Sequence, residues 1–251
     1  APVPLEFIPQ TFMVNVIGDA VPNNQVNAGV PAGSGGVTLV VPRRNNGPIV
    51  QVQANSSSPT GFIGFSVAYT GWSATHEVDT LRRFARPASM ADFKAALQYF
   101  DVGSQNWSYA DVNGNIAYYT SGELPLREDL QTLFFPAGLV HPGLIRDGTN
   151  TNKHQWLPQG ATPLEPNQAL STRILPFSEM PQVENPASGY ILNANNDPIG
   201  TTFNNVSWDQ FRTGGNGILY LSAGYASGER MGRIQRLFAD ILAGAGTLSV
   251  S

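Results

Sequence analysis

No cysteine occurs in the 251 residues. That excludes disulfides, thiolate metal sites and a cysteine nucleophile together. Charge is scarce as well: Asp, Glu, Lys and Arg make up 13% of the chain, and 14 basic side chains against 18 acidic ones leave a formal net charge of −4. No Lys/Arg run exists, so the electrostatic footprint of a nucleic-acid binder is missing. No apolar stretch approaches the ~18 residues of a membrane-spanning helix. Ala1-Pro-Val-Pro-Leu5 lacks the basic start and apolar run of a secretory leader. Familiar catalytic signatures are absent too. His76, His141 and His154 are too far apart for a His-Glu-x-x-His metal motif, and each reads as a surface or packing residue. No Gly-x-Ser-x-Gly elbow occurs. The glycine clusters Gly33-Ser-Gly-Gly36 and Gly214-Gly-Asn-Gly217 lack the Lys-Ser/Thr ending of a phosphate loop.

What remains is globular. Hydrophobic residues are 41% of the chain, enough for a substantial core in one large domain or two small ones. The first seventy residues read as strands at Phe12–Ile17, Val37–Val41, Ile49–Val52 and Phe62–Tyr69, rich in β-branched and aromatic residues and separated by Gly and Asn clusters. A helix is predicted over Met90–Phe100. Ser89 caps it with Asp92 three residues on, and Met90, Phe93, Leu97 and Phe100 share one face. A second helix is predicted over Glu229–Ala243, with an apolar stripe of Met231, Ile234, Leu237, Phe238, Ile241 and Leu242 and with Gly244 and Gly246 to stop it. Residues 128–172 carry scattered Gly and Pro and predict a long irregular stretch, as functional loops, subunit contacts and insertions do.

The most informative segment runs from Gly103 to Arg127. Asn113-Gly114 lies between Trp107–Val112 and Asn115–Tyr119, the strongest short hairpin signal, with both turn residues expected at positive φ. Asn106 stands at the start of this hairpin and Arg127 just beyond its end. Read alone, Asn106 is a hairpin-end residue and Arg127 a solvated charge. Asp111-Val-Asn-Gly-Asn115 has its glycine too early for an EF-hand loop, which favours an Asx-stabilised turn. Trp72, Trp107, Trp156 and Trp208 read as core, or as lining for a sugar or acyl group.

Asn106-Trp107, Tyr109–Tyr118, Gly122 and Pro125-Leu-Arg127 resemble the β-chain of penicillin acylases. Leu175-Pro-Phe177 and Asn185–Pro198 resemble a further signature of that family, and Thr70–Arg86 with Ser89–Phe100 matches it more loosely. The resemblance runs roughly from Gly47 to the C-terminus, with one departure: the family's usual His-Gly-Pro is Asn46-Gly47-Pro48 here. It implies an α+β fold, antiparallel-sheet rich, forming part of the αββα sandwich of N-terminal nucleophile hydrolases, with residues 1–251 an internal part of the β-chain. It implies hydrolysis of an acyl amide (penicillin, cephalosporin or N-acyl-homoserine-lactone type), with the carboxamide of Asn106 in the oxyanion hole and Arg127 holding Asn106 and the nucleophile's surroundings. The family's nucleophile is a serine freed by self-cleavage, and it is expected upstream of Ala1. The chain alone is then expected to be inactive, with the rest of the acylase polypeptide and a small acyl amide as partners, neither nucleic acid nor membrane among them, and a periplasmic or secreted location. No cofactor is expected; some family members bind a structural calcium, whose ligands cannot be placed here. The alternatives are a non-catalytic glycan- or peptide-binding β-rich module and a structural domain that kept the fold.

Overall fold

The computed structural model describes residues 5–12, 37–44, 47–136, 138–149, 151–199, 206 and 208–245. The chain divides into two compact units, Ala1–Trp72 and Ser73–Ser251. It is α+β, with antiparallel sheets in both units.

The first unit holds one sheet in the order β1 (Glu6–Phe12), β2 (Val37–Arg44), β3 (Gly47–Ala54) and β4 (Phe62–Ser66). β1 and β2 pair along their whole length, and a bulge interrupts β3 against β4 between Ile49 and Gln51. The three later strands fall where β-branched residues cluster. The predicted strand Phe12–Ile17 lies, apart from Phe12, outside the described residues. Gly47 sits at φ 110°, and a Cβ there would run into the Val67 carbonyl. That carbonyl also accepts the Trp72 indole N–H at 2.8 Å, and Val67 N–H donates to Pro48 O. Glycine at 47 is thus required by close backbone approach as well as by dihedral angle.

The second unit is built around a three-stranded sheet, β5 (Gln105–Ala110), β6 (Ile116–Ser121) and β7 (Gln182–Glu184). Side chains alternate across a strand, so the hairpin has two different faces. Trp107 and Tyr109 on β5 stand opposite Tyr119 and Ala117 on β6. This face packs on α1 (Glu77–Phe84) and α2 (Met90–Leu97) through Phe84, Met90, Phe93 and Leu97. Tyr119 and Leu97 are fully buried there, and Phe84 and Phe93 stack at 4.5 Å.

α2 begins as its sequence indicates. Ser89 Oγ accepts Asp92 N–H at 3.2 Å and donates to the Asp92 carboxylate at 2.9 Å. It ends at Leu97 rather than Phe100, because Tyr99 and Phe100 donate three residues back and tighten the last turn. α1 was not predicted. Its N-cap, His76, makes no side-chain cap. The Asp101 carboxylate accepts His76 N–H instead, at 2.6 Å, and Glu77 Oε1 reaches forward to Val102 N–H. α3 is a single short turn, Glu128–Thr132, and the other described residues of 128–172 are irregular. The terminal helix α4 (Glu229–Ala245) runs through Gly244 instead of stopping at it; Gly246 lies outside the described residues.

The hairpin turn differs from the expected two-residue form. Asp111 N–H donates to Asn115 O and Gly114 N–H to Asp111 O, which leaves Val112-Asn113-Gly114 at the tip. Only Gly114 takes positive φ (83°); Asn113 does not. This is a type I turn closed by one left-handed glycine. Its odd length shifts the register by one residue, which swaps faces across the partner strand. A two-residue loop would set Asn106 opposite Ser121, whereas the observed loop sets it opposite Thr120.

Asp111 staples this loop. Oδ1 accepts Asn113 and Asn115 N–H, and Oδ2 accepts Asn115 Nδ2 and Tyr109 Oη. The Asn115 side chain, aided by the backbone amides and Tyr109, holds the Asp111 carboxyl below its usual range. A carboxyl lowered in the fold supports the fold above its unfolded pKa and loses that support as pH falls through the lowered value. Amide exchange at Asn113 and Asn115 is therefore expected to be slow at neutral pH. It should accelerate relative to the β6 core amides on acidification below the ordinary carboxylate range.

Gly122 ends β6 at φ 148°, and a Cβ there would lie 2.8 Å from Ser104 Cα. Gly122→Ala is expected to destabilise the second unit by about 1–3 kcal/mol, read as a lowered urea midpoint with unchanged m.

Candidate active site

The opposite face of the hairpin is polar. Asn106 and Ser108 stand across from Thr120 and Tyr118. Asn106 is exposed, while Tyr118 and Thr120 are buried. Thr120 Oγ1 donates to Asn106 Oδ1 at 3.0 Å. The carboxamide oxygen is thereby occupied, and its NH₂ has no hydrogen-bond acceptor among the described residues. Tyr118 Oη accepts Asn193 Nδ2 at 3.4 Å, which brings the asparagine-rich run Asn193-Ala-Asn-Asn196 beside the hairpin. That run folds on itself: Asn193 Oδ1 accepts Asn195 N–H and Asn196 Oδ1 accepts Ala194 N–H, with Asn195 at φ 59°.

Arg127 sits elsewhere in the unit. Pro125 bridges Ile174, Arg127 bridges Trp156, and Leu126 is pinned by Arg173 and Leu157. The residue immediately precedes α3 in extended conformation. Its guanidinium lies 4.9 Å over the Tyr220 ring, and Nη1 donates to Pro125 O at 3.3 Å. Burial draws its pKa down, the Tyr220 phenol opposes that, and Arg146 adds to it. Arg146 is itself paired with the fully buried Asp129. Among the described residues no hydrogen bond or ring contact joins Arg127 to Asn106.

Phenols adjoin both residues, Tyr118 beside Thr120 on β6 and Tyr220 under Arg127. Burial pushes the Tyr225 hydroxyl well above its usual value, and Asp197, Tyr220 and Tyr118 all lie within its field. Tyr118 and Tyr220 are likewise pushed up, chiefly by burial. All three phenols stay protonated at neutral pH. Thr120 and Tyr118 near Asn106, and Tyr220 beside Arg127, are therefore neutral hydrogen-bonding groups. Asn106 and Arg127 were named from the sequence. The phenols and Thr120 were not, since only the register and the long-range packing bring them together.

The histidines serve packing and loop geometry. His76 Nδ1 lies 2.9 Å from the Asp101 carboxylate. His154 Nδ1 accepts Asp147 N–H. His141 Nδ1 accepts Gly143 N–H, and its ring lies 3.9 Å from Trp208. Burial lowers the pKa of both His141 and His154, with Arg146 adding to it. No group of three or more His, Asp or Glu among the described residues could hold a metal ion. The Asp111 loop fits no calcium, because four N–H and O–H donors already point at its carboxylate. Trp107 packs between Phe84 and Phe100, away from the polar face. No helix among the described residues is long and apolar enough to cross a membrane.

Known proteins give this geometry a context. A family model described as penicillin amidase matches residues 19–250, reaching further upstream than the resemblance from Gly47. Penicillin G acylase of Escherichia coli is 38% identical over 93 residues, which are 37% of this chain and 8% of that protein. A solved structure, a thermostable penicillin G acylase from Alcaligenes faecalis, superposes with a TM-score of 0.53 at 20% identity. It covers 93% of this chain, which in turn spans 31% of its length. The match over almost the entire sequence settles descent: this chain belongs to the penicillin amidase family.

Proposed function

We propose that this chain is part of an amide hydrolase and contributes one donor of its oxyanion hole, the carboxamide of Asn106. The observation that carries the reading is the hydrogen bond from Thr120 to Asn106 Oδ1, which leaves the exposed NH₂ as the working end. When an alcohol attacks an amide carbonyl, negative charge grows on the carbonyl oxygen. A fixed N–H donor stabilises that charge without reorganising, and one such donor is worth about 2.7–4 kcal/mol of barrier. The nucleophile in this reading is the family's N-terminal serine, supplied by polypeptide outside these 251 residues. Its own α-amine takes the hydroxyl proton, which suits an unperturbed pKa of ~7.7–8.0. The same proton then goes to the departing amine as the C–N bond breaks. Water releases the acyl group from the serine in a second pass.

Arg127 holds the surroundings of the site. Its planar fork, stacked on Tyr220, has donors to spare for fixing two acceptors at once. The αββα arrangement, an exported location and the pairing with the rest of an acylase polypeptide belong to the same reading. The last of these agrees with a chain that spans 31% of its solved relative. Amine release from a panel of phenylacetyl, aliphatic acyl and acyl-homoserine-lactone amides tests it. The polypeptide extended upstream to include the serine should turn over at least one class, and the 251 residues alone should turn over none. Turnover by the 251 residues alone, at a rate matching the longer form, would overturn the shared site.

A further inference from the structure

We propose that Thr120 is a positioning residue that sets which end of the Asn106 carboxamide faces the substrate. The inference rests on the oxyanion reading of Asn106 and adds to it. A carboxamide has two ends of nearly the same shape and opposite polarity. Turned one way it donates to an oxyanion, and turned the other way it repels one. Asn106 is exposed, so packing alone does not choose between them. Thr120 does. It stands directly across the ladder, is 8% exposed, and its own N–H is fixed on Pro181 O at 2.8 Å. Its branched Cβ restricts χ1, so the hydroxyl is held 3.0 Å from Oδ1. Donation to the oxygen commits the NH₂ to the outward side. Tyr118, next on the same face, lies within hydrogen-bonding reach of the Thr120 hydroxyl and accepts Asn193 Nδ2.

The test is a set of variants in the longer acylase polypeptide, assayed with phenylacetyl 4-nitroanilide. Thr120→Val keeps the shape and removes the hydroxyl. It should lower kcat roughly tenfold, the ratio one ordinary hydrogen bond maintains between two orientations, with KM little changed. Thr120→Ser should restore most of the loss. In an Asn106→Ala background, Thr120→Val should have no further effect on kcat. A readout without turnover is the Asn106 ¹³Cγ resonance. It should move on Thr120→Val, as the carbonyl loses its donor, and stay near its original position in Thr120→Ser. Wild-type kcat in Thr120→Val, or an unmoved resonance, would overturn the inference. Those results alongside an inactive Asn106→Ala would leave the oxyanion reading intact, whereas an active Asn106→Ala would remove that reading itself.

Discussion

Asn106→Ala is expected to lower kcat of the longer acylase polypeptide by about 10²–10³-fold, with KM within a few-fold of the original. The split follows from when the interaction forms. The carboxamide meets a neutral carbonyl in the ground state and an oxyanion in the transition state, so its strength is expressed mainly in the second. The fold should survive the change. Asn106 is exposed on an edge strand, and among the described residues the one side-chain bond it makes is to Thr120. Far-ultraviolet circular dichroism and a urea midpoint close to the parent's would confirm that. A hairpin-end asparagine without a chemical role would give the reverse pattern, with kcat unchanged and any cost appearing in stability.

The largest effect on stability is expected at Glu179. Its carboxylate takes two bonds from Arg212, at 2.9 Å from Nε and 2.6 Å from Nη2, and both side chains are more than nine-tenths buried. Arg212 Nη1 also donates to Gln131 Oε1, and Gln131 Nε2 donates to Ile218 O. The network ties α3 and the turn Phe177–Glu179 to the segment that carries Tyr220. Two glycines let that segment close in: a Cβ at 214 would lie 2.7 Å from Glu179 Oε1, and one at 217 would lie 2.7 Å from Gln131 Cα. Glu179→Ala leaves a guanidinium buried without its counter-ion, which costs about 3–5 kcal/mol. Removing both charges together, as Glu179→Leu with Arg212→Met, should cost much less, because the desolvation of the two ions disappears with their attraction. Urea unfolding of the two variants measures this. Equal losses in the single and double variants would show that the pair contributes packing rather than charge compensation.

The sequence was most legible where structure is local. The Ser89–Asp92 cap, the apolar face of α2 and the β-branched strands depend on neighbours within a turn or two, and they came out close to where they were expected. α1 was missed because its cap is supplied by Asp101, twenty-five residues away. β7 was missed because its three residues are strand only by pairing with β6. The hairpin was found but its turn was misread. Asn113-Gly114 satisfies the two-residue rule, yet Asp111 captures the amides of Asn113 and Asn115 and draws a third residue into the loop. That single residue decides which side chain faces Asn106, so Thr120 was out of reach without the register. Gly244 misled because a glycine inside a helix costs only about 1 kcal/mol, which the rest of α4 offsets. Asn106 and Arg127 were proposed from the resemblance to a family signature. Their local chemistry alone reads as an end residue and a surface charge, and the phenols near them, Tyr118 and Tyr220, come from segments a hundred residues apart.

The most direct test is a structure of the longer acylase polypeptide with a covalent boronate or sulfonyl adduct on its nucleophile, which places an oxygen where the oxyanion forms. Asn106 Nδ2 should lie about 2.7–3.1 Å from that oxygen, with Oδ1 still on Thr120. An adduct oxygen bound by other donors, with the Asn106 carboxamide pointing into solvent, would contradict the assignment.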